Sequence, residues 1–131
     1  MNDFPLYVTS WTALILGTLL FFLTLKVILH RRANRIVLGD NGDRVILKKI
    51  RGHSNATEQI PIALILIGLV EYLQGSTYAC VIASVLILGR LMHAFYFSFH
   101  GTHWRFRFYG MLLTTISQGL ALLALLRALA F

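Results

Sequence analysis

The chain has little acid, little proline and almost no cysteine. Its 131 residues include 5 Asp and Glu against 12 Lys and Arg, 2 prolines and 1 cysteine. The single Cys80 excludes an internal disulfide, and within an apolar stretch its thiol reads as a small packed hydrophobe. No cluster of His and Cys has metal-ligand spacing, so no metal is expected. Ser-His-Asp patterns, a nucleotide-binding glycine loop and a catalytic carboxylate pair are also missing. Any chemistry must then rest on arginines and on a ligand that brings its own nucleophile. Long soluble stretches are lacking as well, and the net charge of +7 lies in short connections, not along a soluble face. Nucleic acid is therefore not an expected partner.

What the chain has in abundance is apolar sequence, at 57% of residues with a mean hydropathy of +0.72. That is beyond the usual range of a soluble domain and indicates an integral membrane protein. The first run, residues 6–29, is interrupted only by Lys26 and offers roughly 24 residues where a bilayer requires roughly 20. It is too long for a signal-peptide core, and no basic region precedes it, so the helix is expected to be retained. Three further apolar segments follow. The reading is one all-α domain over residues 1–131, with membrane helices at about 6–32, 44–74, 77–99 and 104–130.

The Gly39-Asp40-Asn41-Gly42-Asp43 cluster ends the first helix, and Val45 to Leu47 with Ile50 give the second an apolar face beyond the membrane. The same stretch carries an Asn-Gly hairpin signal, which the helix reading outweighs because an isolated hairpin is marginal. Gln74-Gly75-Ser76 makes the next tight turn, and Gly101-Thr102 opens the last connection. Basic residues gather after helix 1 (Arg31, Arg32, Arg35, Arg44, Lys48, Lys49, Arg51) and after helix 3 (Arg105, Arg107), whereas the turn between helices 2 and 3 has none. The positive-inside rule then puts both basic connections in the cytoplasm and both termini on the far side. Trp11 and Trp104 fall near opposite interfaces, and His100 and His103 read as interfacial.

The polar residues that enter the membrane are few and share faces. On a helix turning 100° per residue, Asn55 lies about 40° from Arg51 and Glu58 about 20° the other way. A cation, an amide and a carboxylate at that depth mark a polar site inside the bundle. On helix 3, Arg90, His93 and Phe97 form a second such face, with Arg90 too deep to snorkel easily. Antiparallel packing would bring Arg90 to the level of Arg51, Asn55 and Glu58. Glu58 could serve merely to neutralise Arg90 or Arg51, and Asn55 to bond between helices. Even so, Arg31, Arg51, Arg90, Arg105 and Arg107 against Glu58 leave an excess of positive charge that suits an anion. Tyr96 lies off the Arg90 face but close to its end.

Arg51, Asn55, Glu58 and Pro61 on helix 2, with Gly89-Arg90-Leu91-Met92-His93 on helix 3, resemble the MAPEG family, the membrane-associated proteins in eicosanoid and glutathione metabolism. Gly52-His53 before the Asn-x-x-Glu-x-x-Pro pattern is most similar to bacterial inner-membrane members. The resemblance implies a homotrimeric four-helix membrane bundle that holds glutathione between subunits, open to the cytoplasm, and transfers its thiol to a lipophilic electrophile from the bilayer or reduces a lipid hydroperoxide. It implies glutathione contacts at Arg31, Arg51, Asn55, Glu58, Gln59, Arg90, His93 and Tyr96. A thiol-activating arginine is implied at the start of helix 4, where Arg105 and Arg107 are equal candidates. Gln59 and Phe97 depart from the tyrosines of eicosanoid-synthesising members. Two other readings stand beside this one: a small transporter or channel, which the lack of any acid in helix 1 argues against, and a bundle that has lost its chemistry.

Overall fold

In the computed structural model, which describes residues 6–99 and 101–130, the chain forms four antiparallel helices. They are α1 (Tyr7–Ala33), α2 (Arg44–Gln74), α3 (Ser76–Ser98) and α4 (Trp104–Ala130). Each is long and apolar enough to cross a membrane, and no strand occurs among the described residues. The hairpin alternative for the first connection is therefore not what forms. The expectation for His100 lies outside the described residues.

Local chemistry sets the helix ends. Asp43 caps α2, its carboxylate accepting from the backbone N–H of Val45 at 2.7 Å and of Ile46 at 3.4 Å. The loop before it bends through positive φ at Arg35, Gly39, Asn41 and Gly42. Between α2 and α3 a single residue, Gly75 at φ +88°, reverses the chain. Among the described residues, α1 has no side-chain cap from its own N-cap position, Leu6. Glu71, buried near the end of α2, supplies one from across the bundle: it accepts from the N–H groups of Val8 and Thr9, both at 2.8 Å, and from the Thr9 hydroxyl at 2.7 Å. A carboxylate on a helix N-terminus satisfies orphan donors and complements the dipole.

α3 sits against all three other helices, and α4 packs on α3 and α2. The α3–α4 approach is set by glycine. A Cβ on Gly110 would fall 2.6 Å from the His93 backbone nitrogen, and one on Gly89 would fall 2.9 Å from the Gly110 carbonyl. Close backbone approach at small residues is how membrane helices associate when lipid is as apolar as the core. Ser117 adds a buried bond to the Ile82 carbonyl at 2.9 Å. Leu16, Ile67, Val70 and Leu86 fill the centre, while Phe21, Leu123 and Leu129 point outward. Cys80 also faces outward, so it does not pack in the core as its apolar setting suggested.

The two basic connections meet at one end of the bundle. Lys48 donates to the Phe99 carbonyl at 2.9 Å, and Lys26 to that of Ser98 at 3.4 Å. Nearby, Lys49 bonds His30 Nδ1 at 2.9 Å, while His30 Nε2 meets Asp43 at 2.7 Å, tying the end of α1 to the start of α2. The hydrogen bond from His30, with that from Val45 N–H, holds the Asp43 carboxyl below the usual carboxylate range.

Candidate functional site

Two turns of α2 present Arg51, Ser54, Asn55 and Glu58 to a cavity of about 340 Å³. Its opposite wall is His93 and Phe97 from α3 and Arg107 from α4. The volume lies within the roughly 300–1,000 Å³ usual for small-molecule pockets. Phe97 reaches the wall because Gly52 leaves room: a Cβ there would be 2.5 Å from the Phe97 Cβ. The His93 and Phe97 rings are 4.8 Å apart, and the Arg107 guanidinium lies 5.9 Å from the Phe97 ring centre.

Beneath this cavity Arg90 is 0% exposed and donates to the Asn55 amide oxygen at 2.9 Å. Its Nε and a second terminal nitrogen are buried without a protein partner, as is His93 Nδ1. No Lys or Arg forms an ion pair with a carboxylate among the described residues. Glu58 therefore makes no direct ion pair with Arg51 or Arg90, although it shares the cavity with Arg51. Buried donors left over in an apolar setting are costly unless an acceptor completes them. An anionic or acceptor-rich ligand has the needed chemistry.

A second cavity, about 590 Å³, adjoins the first and shares Asn55, His93 and Arg107 with it. Its remaining lining is mainly apolar and aromatic: Tyr96, Trp104, Phe108, Met111 and Leu112, with Thr115. Arg107 thus stands between a polar compartment and an apolar one.

The arginines at the start of α4 separate here, since Arg105 lines neither cavity. Its backbone N–H donates to the His103 ring at 3.2 Å. Gln59 turns toward α4, where its amide oxygen accepts from Gln118 at 3.1 Å, and it too lines neither cavity. Tyr96 borders the larger cavity, with the Lys48 ammonium 4.3 Å from its ring centre. Arg31 borders neither, yet one of its nitrogens is buried without a partner.

Sequence reading found Arg107 but missed Ser54 and the apolar part of the α4 wall. The signal for the wall was present: Trp104, Phe108, Met111 and Thr115 recur at helical spacing along one stripe. Trp104 alone was read as an interfacial aromatic, which hid the stripe. Glu71 was overlooked because nothing local to it announces a partner on α1.

Comparison with known proteins bears on the whole of this arrangement, because the sequence model of the MAPEG family matches residues 9–127. The chain belongs to the MAPEG family. It is 35% identical over 118 residues to the inner membrane protein YecN of Escherichia coli K12, an alignment covering 89% of this chain and 88% of that protein. The YecN protein of Escherichia coli O6:H1 matches to the same extent. This MAPEG protein is thus an all-α integral membrane bundle over nearly its whole length, and both cavities lie inside the matched region.

Proposed function

We propose that this MAPEG protein is a glutathione-dependent transferase of a bacterial inner membrane, adding the glutathione thiolate to lipophilic electrophiles that arrive from the bilayer. The observation that supports it is the shared wall, where Asn55, His93 and Arg107 border both the polar and the apolar cavity. A hydrophilic thiol and a lipophilic acceptor can meet only where such compartments adjoin. Arg51 and the unpartnered donors of Arg90 suit glutathione's carboxylates and carbonyls, and Glu58 suits its ammonium. Arg107 holds the sulfur. A thiol of pKa about 8.5 becomes more acidic beside a guanidinium in a low dielectric, because the cation stabilises the thiolate. The sulfur then bonds to the electrophilic carbon; a halide leaves from an aryl halide, or the enolate formed from an enal takes up a proton. Lipid hydroperoxide reduction, with glutathione oxidised to its disulfide, is a further outlet of the same thiolate.

The reading includes a homotrimer. Arg31 borders neither cavity of its own chain, and in the trimer it closes on the glutathione of a neighbouring copy. Both basic connections face the cytoplasm in this arrangement, so the polar cavity draws on cytoplasmic glutathione.

Thiolate absorbance tests the proposal in purified protein. Saturating glutathione should produce the ultraviolet thiolate band, together with conjugation of an aryl halide or an enal. Absence of both at saturation refutes the transferase. Phe97, apolar where a phenol would offer a hydroxyl to the polar cavity, favours one second reading, a protein that binds glutathione without turnover. Binding with neither band nor product selects it.

A further inference from the structure

At the end of the bundle away from the basic loops, α3, α4 and the end of α2 border a cleft that the transferase chemistry does not use. It encloses about 610 Å³, with Val81, Ile82, Leu120 and Leu123 as apolar walls. Gln74, Tyr78 and Arg127 form its polar mouth, and the same residues border an adjoining hollow of about 430 Å³. The Gln74 amide is engaged with the Ala124 carbonyl and bridges α2 to α4. Arg127 is exposed at the rim.

The position of Arg127 is unusual for this chain. The loop cations cluster at the opposite end, as membrane topology favours, and among the described residues Arg127, in the last turn of α4, is the one Lys or Arg at this end. Its setting combines an apolar trough running from Leu120 to Arg127, roughly 10 Å along the helix, with a cation and a phenol at the level where the trough opens. A free phosphate has no use for the trough, and an uncharged lipid has none for the guanidinium. An amphiphile with an anionic head uses both, because a guanidinium bonds phosphate oxygens.

We infer that this cleft binds an anionic phospholipid from the leaflet opposite the basic loops, its acyl chain along Val81, Leu120 and Leu123 and its phosphate on Arg127. Tyr78 stands beside the phosphate at the interface, where amphipathic aromatics prefer to lie. Arg127 also complements the carbonyl end of α4. That role concerns stability and gives no preference among lipids, so lipid selectivity separates the two.

Native mass spectrometry of the full-length protein, titrated with phosphatidylglycerol and with phosphatidylcholine of the same chains, is the test. The wild type should bind phosphatidylglycerol more tightly. Arg127→Gln should weaken that binding about fivefold, leaving phosphatidylcholine unchanged, and Arg127→Lys should retain most of it. Val81→Trp, on an outward position of α3, should fill the trough and reduce both lipids. Equal affinity for the two lipids in the wild type overturns the inference. So does undiminished phosphatidylglycerol binding in Arg127→Gln or Val81→Trp. An oligomer that dissociates on Val81→Trp without any change in lipid adducts assigns the cleft to a second copy and overturns it as well.

Discussion

Arg105 and Arg107 are two positions apart and so about 200° apart around α4, and that rotation divides their roles. Only Arg107 borders the cavities. In the proposed transferase, Arg107→Ala should raise the pKa of the bound thiol by about one unit, equivalent to about 1.4 kcal/mol. Turnover should fall while glutathione affinity stays within a few-fold, because the lost contact acts on the charge that develops at sulfur. Arg51→Ala should show the opposite pattern, weaker binding with a nearly normal thiol pKa, and Arg105→Ala should resemble the wild type. Spectrophotometric titration of the thiolate alongside glutathione binding measures all three. Equal effects of Arg105→Ala and Arg107→Ala would remove the division. Spacing along the chain left these arginines equivalent; the rotation of α4 against α3 makes them different.

Among the elements, the α3–α4 contact brings His93 and Arg107 together on the wall that faces α2. Gly110 lies within that contact, with no room for a Cβ beside the His93 backbone. Gly110→Ala should therefore destabilise the bundle by about 1–3 kcal/mol, the usual range for overpacking, and thermal unfolding in detergent would detect it. Gly119, whose Cβ position is open, serves as the control and should tolerate alanine. A second element-level prediction concerns pH. Asp43 is held below its ordinary range by His30 and by Val45 N–H, so its folded value is lower than its unfolded one of about 3.9. Its contribution is complete above the unfolded value and is lost as pH falls through the folded one. Asp43→Asn should remove this acid-dependent part, and the acid limb of an unfolding profile should flatten. The start of α2 beside Asp43 was legible, because an Asp after the Gly-Asp-Asn-Gly stretch is a local start signal. The bond between Asp43 and His30 was not, since it depends on where α1 ends in space.

For the whole molecule, the proposed trimer makes a site of residues from two copies. Arg31→Ala and Arg107→Ala chains should each have reduced activity as pure assemblies. Co-expressed, they should recover part of the activity, because some interfaces then pair an intact Arg31 with an intact Arg107. No recovery in co-purified mixed trimers would place Arg31 outside the site, and a purified mass other than that of three chains would remove the trimer itself.

The four membrane spans were determined by the sequence alone, because the length of apolar run that a bilayer requires is a local property. The shared face of Arg51, Asn55 and Glu58 was equally local, since it follows from helical geometry. Tertiary structure decided which side of each helix turns inward. In a soluble bundle, apolar periodicity would announce that side, but here Leu123 faces outward and Leu86 inward with nothing in their chemistry to separate them. Lipid is as apolar as a protein core, so the hydrophobic pattern carries little information about rotation. The bond from Arg90 to Asn55, the Glu71 cap on α1, the place of Arg107 between two cavities and the cleft beside Arg127 all depend on that rotation. Packing at Gly89 and Gly110 helps to set it, through a close backbone approach that only the assembled bundle reveals.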